Sequence, residues 1–224
     1  MNFFSHAAVA GRFSAEPSFV LGAMLPDFAS MLGVPAVAMG GAPAGSAALW
    51  AGVRFHHRTD AAFHGLSAFT ALCREAASDL RERGVRRGPS LAVAHVGVEL
   101  FVDAALAERA EARRAYLNAL RAGTSPELLA GLDAGADERR RFARLFGTLI
   151  ERGVTVETTP RLVLERLRRS LSRRPRLALA PGDEPGVLGW VESARTRIVA
   201  SAPELVAGLF QDLARRSSDP VARS

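Results

Sequence analysis

Two triplets of ligand-type side chains share one spacing in this chain: His56-x3-Asp60-x3-His64 and His95-x3-Glu99-x3-Asp103. On an α-helix a four-residue step advances about 400°, so each triplet drifts only about 40° per member and lines one face. Two such helices packed face to face would gather three imidazoles and three carboxylates, a mixture that borderline divalent metals take. The rise of about 1.5 Å per residue separates the ends of a triplet by roughly 12 Å, so one ion cannot bind both ends. Either each triplet gives a neighbouring pair to one ion, or the site holds two ions about 3.5–4 Å apart. A lone His-x3-Asp pair is ordinarily a solvated i,i+4 contact. The second triplet, however, sits among Val, Leu and Phe. Burying Glu99 and Asp103 there without compensation would cost on the order of several kcal/mol each.

Two more candidates lie near the N-terminus. His6 falls in a short apolar segment predicted to be helical, and Asp27 follows Leu25-Pro26 as either a helix cap or a ligand. The candidate metal ligands are therefore His6, Asp27, His56, Asp60, His64, His95, Glu99 and Asp103. Asp27 and Asp60 are also the candidate catalytic carboxylates. Arg58, one turn from the site, is a candidate catalytic residue able to hold an anion by bidentate bonds, with a solvated arginine as the bland alternative. His57 points about 100° away from His56 and reads as a proton shuttle or a support for the ligands, with a purely structural role as the alternative.

The elements that must position these groups are helices. Apolar residues recur at helical spacing almost everywhere and β-branched alternation is scarce. One helix is expected over Leu66–Arg83, ending at Gly84. The next opens at Pro89-Ser90, carries the second triplet and continues past Tyr116. Ser125-Pro126-Glu127 reads as a cap followed by proline at the first helical position. Further helices are expected over Asp137–Arg152 and from Thr159-Pro160 to about Ser172. Pro181–Pro185 reads as a loop, and the last helices flank Pro203. The expectation is a single all-α domain over residues 1–216 and a disordered tail over 217–224.

Composition sets outer bounds. The 224 residues are 48% hydrophobic, enough for a sizeable core. The single cysteine, Cys73, excludes an intramolecular disulfide and fits a reducing cytosol as a small buried apolar residue. The first residues do not read as a signal peptide. The uncharged run from Phe28 to Val53 is broken by Pro35, Gly40-Gly41 and Pro43, so it reads as helix end, loop and helix start and not as a membrane span. A cytoplasmic location without membrane attachment is expected. The net charge is +6 and every Lys+Arg position is arginine, which suggests anionic partners. No basic stripe is interleaved with aromatics, so nucleic acid is not favoured.

At this point several islands resemble the acyl carrier protein phosphodiesterase family. They are Met1-Asn2-Phe3 with His6, Gly22 with Leu25-x-Asp27-Phe28, Gly52-Val53-x-x-His56-x-x-x-Asp60, Asp103 in an apolar helix, and Arg173-Arg174-Pro175-Arg176. The resemblance is collinear over most of the chain. It implies an all-α fold related to the HD-domain phosphohydrolases. It also implies a divalent metal, manganese foremost with iron(II) or zinc as alternatives, as one or two ions. The reaction implied cleaves the phosphodiester between 4′-phosphopantetheine and a serine of holo-acyl carrier protein. His64 and Glu99 stand where that family tends to carry aspartates, His95 is an addition, and Ala104-Ala105-Leu106 replaces His-Phe-Leu.

The expected activity is metal-assisted phosphodiester hydrolysis. Its acidic carrier-protein substrate would be steered by Arg168, Arg169, Arg173, Arg174 and Arg176, a stretch free of acidic residues between Glu165 and Asp183. Arg173 and Arg174 capping helix carbonyls is the structural alternative. Three other functions fit parts of the pattern: an HD-like phosphohydrolase acting on a nucleotide or other small phosphoester, a di-iron oxidase, and a non-catalytic metal-binding helical protein. The oxidase is disfavoured because such bundles use Glu-x-x-His, which this sequence lacks.

Overall fold

The computed structural model describes residues 1–34, 47–132, 134–155 and 158–218. Those residues form ten α-helices and a short 3-10 turn with no strand among them, so the fold class is all-α. The helices are α1 (Phe3–Phe13), α2 (Pro17–Leu32), α3 (Ala47–His64), α4 (Ser67–Glu82), α5 (Arg87–Ala107), α6 (Ala110–Gly123), α7 (Pro126–Ala130), α8 (Ala136–Arg152), α9 (Pro160–Leu171) and α10 (Glu184–Ser218). The chain divides into two compact units, residues 1–61 with 106–155 and residues 62–105 with 156–224. Residues 35–46, where the uncharged run is expected to loop, and 219–224 of the expected tail lie outside the described residues; the helix itself reaches Ser218.

The first unit is built on α1, α2, most of α3, and α6 to α8. Pro17 sits in the first turn of α2, where its missing N–H costs nothing, and Gly33 ends the helix at φ 61°. Ser125 caps α7, its hydroxyl accepting from the Leu128 N–H, as expected. Leu21, Met24, Leu25, Phe28, Leu49, Leu120, Phe142 and Phe146 form a fully buried core. Each such side chain contributes about 1.5–3 kcal/mol on burial. Phe28 joins α1 to α8, with ring centroids 5.2 Å from Phe3 and 5.5 Å from Phe146. Where α2 crosses α3, Gly22 and Gly52 meet: a Cβ on Gly22 would lie 3.0 Å from the Gly52 Cα. Only the absence of side chains permits so close an approach.

The second unit holds the end of α3 with α4, most of α5, α9 and α10. Gly84, at φ 84°, follows the end of α4. Gly97 on α5 leaves room for the Trp190 ring, which a Cβ would meet at 2.5 Å. The fully buried Trp190 also lies 5.8 Å from Phe101 between centroids. By length and composition α5 is apolar enough to span a membrane, but most of it is buried within the protein.

Three expectations need correction. The helix carrying the second triplet starts at Arg87 and stops at Ala107, and does not continue past Tyr116. The Arg109 N–H bonds the Leu106 carbonyl at 3.0 Å, and the Arg113 guanidinium takes the Ala107 carbonyl. Side-chain capping thus breaks the helix where no Gly or Pro announces it. The expected loop over Pro181–Pro185 is a 3-10 turn running directly into α10, with Asp183 accepting the Ala180 N–H at 2.8 Å. Two helices were expected around Pro203, yet it lies inside the single 35-residue α10. Proline removes one backbone bond there. The buried stripe of Ala194, Ile198, Ala202, Leu205, Leu209 and Leu213 outweighs that loss.

Candidate metal centres

In the first unit α1 presents His6, α2 presents Asp27 and α3 presents His56. One ligand atom from each lies within 4.8 Å of the others. Asp27 is inside α2, directly after the internal Pro26, so it is not a helix cap. The glycine crossing brings α3 close enough for His56 Nδ1 to sit 2.9 Å from the Ala23 carbonyl oxygen. A carbonyl only accepts, so Nδ1 carries the proton and Nε2 carries the lone pair.

His6 is fixed in the same tautomer by a different route. Its Nδ1 lies 3.1 Å from the Thr59 hydroxyl oxygen. That hydroxyl directs its own proton to the Phe55 and His56 carbonyls at 3.0 and 2.9 Å. Thr59 must therefore accept from His6 Nδ1, which leaves a lone pair on His6 Nε2. This atom is buried and has no hydrogen-bond partner among the described residues. Burial lowers the His6 pKa to about 3 and the His56 pKa to about 4, so both imidazoles are neutral at physiological pH. The rings stack with centroids 3.9 Å apart. Two neutral, oriented imidazoles beside a carboxylate fit a divalent cation, and the orphaned His6 nitrogen is the atom such a cation would satisfy.

Asp60 borders this set. Its Oδ1 lies 3.7 Å from His6 Nε2 and accepts from the Met1 amino group at 2.8 Å. His57 is exposed, with its ring edge-on to His56 at 5.2 Å, and Arg58 is exposed on the following position.

The second triplet serves another cluster. His95 and Glu99, one turn apart on α5, join His64 at the end of α3. Both Nε2 atoms approach the same Glu99 oxygen, Oε1, at 3.0 Å from His64 and 3.2 Å from His95. Burial pushes the Glu99 pKa up, but hydrogen bonds from His64 and His95 outweigh it and hold the carboxyl well below its usual range. Cys73 is half-buried, and burial with the nearby Glu99 charge pushes its pKa up to about 12, so it remains a thiol.

The His56–Asp60–His64 triplet is thus divided. His56 belongs with His6 and Asp27, while His64 belongs with His95 and Glu99. Asp103 is buried on α5 but stands outside both three-ligand groups. Two supports escaped the sequence reading. Thr59 could have been found as a hydroxyl on the buried face beside Asp60. Phe69, which backs both His64 and His95, carried no signal beyond an ordinary core position.

The arginines expected to face a partner are all exposed. Arg168 is engaged by Glu184, which lies just beyond the acid-free stretch, and Arg169 Nε donates to the Glu165 carbonyl at 3.4 Å.

No family model matches this chain, and no curated protein and no solved structure matches it either.

Proposed function

We propose that the protein is a metal-dependent phosphodiester hydrolase that releases 4′-phosphopantetheine from a serine of holo-acyl carrier protein. The observation that best supports it is the His6 Nε2 lone pair, buried without a hydrogen-bond partner and within ligand reach of Asp27 and His56. A divalent cation held by His6, Asp27 and His56, manganese being the ion that the family resemblance implies, would polarise a phosphoryl oxygen and lower the pKa of an attacking water.

The surrounding residues have separate tasks in this reading. Thr59 and the Ala23 carbonyl hold the two imidazoles with Nε2 forward. Asp60, partly open to solvent, takes a proton from the attacking water. Exposed Arg58 grips phosphoryl oxygens, and exposed His57 returns a proton to the departing serine oxygen. The water oxygen bonds to phosphorus as the bond from phosphorus to the serine oxygen breaks.

The choice of carrier protein rests on the family resemblance and on the exposed arginines after α9. Purified protein, treated with chelator and reloaded with Mn²⁺, should release phosphopantetheine from holo-carrier protein only when loaded. Release at an undiminished rate after complete metal removal would refute the reading.

A further inference from the structure

We infer that His64, His95 and Glu99 form a second metal site, selective for zinc-like cations and independent of the His6, Asp27 and His56 set. Three donors from two helices converge here within 4.8 Å. Their arrangement is unusual for a surface ion pair, because two imidazole nitrogens share a single carboxylate oxygen at 3.0 and 3.2 Å. Two ring nitrogens converging on one carboxylate oxygen mark the place that a cation between three ligands would fill.

The imidazoles are also held in place. Phe69 touches both, with centroids 5.3 Å from His64 and 5.4 Å from His95. Phe63, fully buried, has its ring centroid 4.6 Å from that of Phe69 and 5.8 Å from that of His64. An aromatic wall of this kind limits ring rotation, so little reorganisation is needed on binding. Access is one-sided: the side chains of His95 and His64 are 46% and 31% exposed, whereas that of Glu99 is 9% exposed. A cation entering over the imidazoles would meet its three ligands below and keep a solvent position above.

The donor set decides the cation class. Two imidazoles and one carboxylate with an open fourth position suit tetrahedral zinc. Nitrogen donors favour Zn²⁺, Co²⁺, Ni²⁺ and Cu²⁺ over Mn²⁺ and Mg²⁺, which prefer oxygen. In the bound form each Nε2 would offer its lone pair to the cation, with the single proton of the neutral imidazole on Nδ1. The end of α3 and α5 would then be clasped at residues 64, 95 and 99, and zinc would raise the melting temperature by mass action.

The test uses the full chain, stripped by chelator. Zinc is titrated against a chromophoric competitor into the original protein and into His95→Ala, His64→Ala and Glu99→Gln. His95 is the most exposed of the three, so His95→Ala should fold, and Glu99→Gln keeps the side-chain shape. The original protein should bind one more zinc equivalent than each variant, or bind that equivalent about 100-fold or more tightly. Its zinc-induced rise in melting temperature should be larger than that of His95→Ala, and the visible band of its Co²⁺ form stronger by the contribution of one site. Equal zinc stoichiometry, affinity and thermal response in the original protein and all three variants would overturn the inference. Phosphopantetheine release is a separate readout, so failure of the hydrolase reading leaves this difference of one equivalent intact.

Discussion

Gly22 of α2 and Gly52 of α3 touch backbone to backbone. A Cβ on Gly22 would stand 1.9 Å from the Leu49 carbonyl oxygen, and one on Gly52 would stand 2.0 Å from that of Phe19. Neither obstacle is a side chain that can swing away, so a methyl group must push the helices apart. The same crossing sets the 2.9 Å bond between His56 and Ala23. Gly52→Ala should destabilise the protein by about 1–3 kcal/mol or more and lower metal occupancy at His6, Asp27 and His56. Chemical denaturation and elemental analysis check both effects. An unchanged denaturation midpoint would show that the helices are not in contact there.

Thr59 fixes a tautomer and touches no substrate in this account. Thr59→Val keeps the shape but removes the acceptor for His6 Nδ1. Stability should fall by about 1–3 kcal/mol, because a buried donor is left unmade. Metal affinity should fall about 10–100-fold. Thr59→Ser restores the acceptor and should recover most of the affinity. If Val and Ser variants bind metal equally well, the hydrogen bond does not orient His6.

Acid should destabilise the metal-free protein in a defined window. His6 and His56 titrate near 6.5 when unfolded but near 3 and 4 when folded, because burial disfavours their charged forms. Between those values the unfolded chain binds protons that the folded chain does not. Stability is therefore full above pH 6.5 and falls as pH drops toward 4, by up to about 1.4 kcal/mol per pH unit for each histidine. Glu99, whose folded pKa is lowered from 4.5, adds a loss of the same sign at lower pH. Denaturation midpoints measured from pH 7 to pH 4.5 should decline steadily. A flat profile would contradict the burial of neutral imidazoles.

The arginines after α9 make a prediction about the partner. Arg169 and Arg173 are exposed, and Arg168 is already neutralised by Glu184. Replacing Arg169 and Arg173 with Glu should raise KM for a carrier-protein substrate several-fold. Hydrolysis of a small phosphoester and the melting temperature should stay nearly constant. The difference in KM should shrink with salt, as the Debye length falls from about 10 Å at 0.1 M to 3 Å at 1 M. A loss of stability with constant KM would assign these arginines a structural role.

Much of this arrangement was legible in the sequence because its signals are local. The four-residue spacing placed His95 and Glu99 on one helix face, and Gly84, Ser125-Pro126 and Pro160 marked helix ends where the structure has them. What escaped depends on tertiary context. The break after Ala107 is made by the Arg113 side chain reaching back to a carbonyl, which no spacing rule encodes. Pro203 stays helical because its neighbours bury a long stripe. The division of the first triplet was only half visible. Its length forbade a single ion, but which neighbours His56 and His64 would join depended on the crossing of α2 with α3 and on Phe69.

In the proposed hydrolysis, the cation held by His6, Asp27 and His56 is required for release. The most direct measurement is phosphopantetheine release from holo-carrier protein by the original protein and by His56→Ala, each stripped and reloaded with Mn²⁺, with bound metal measured on the same samples. The original protein should show metal-dependent release, and a folded His56→Ala variant should lose both the metal of the first set and release. Full metal occupancy and undiminished release by His56→Ala would contradict that requirement.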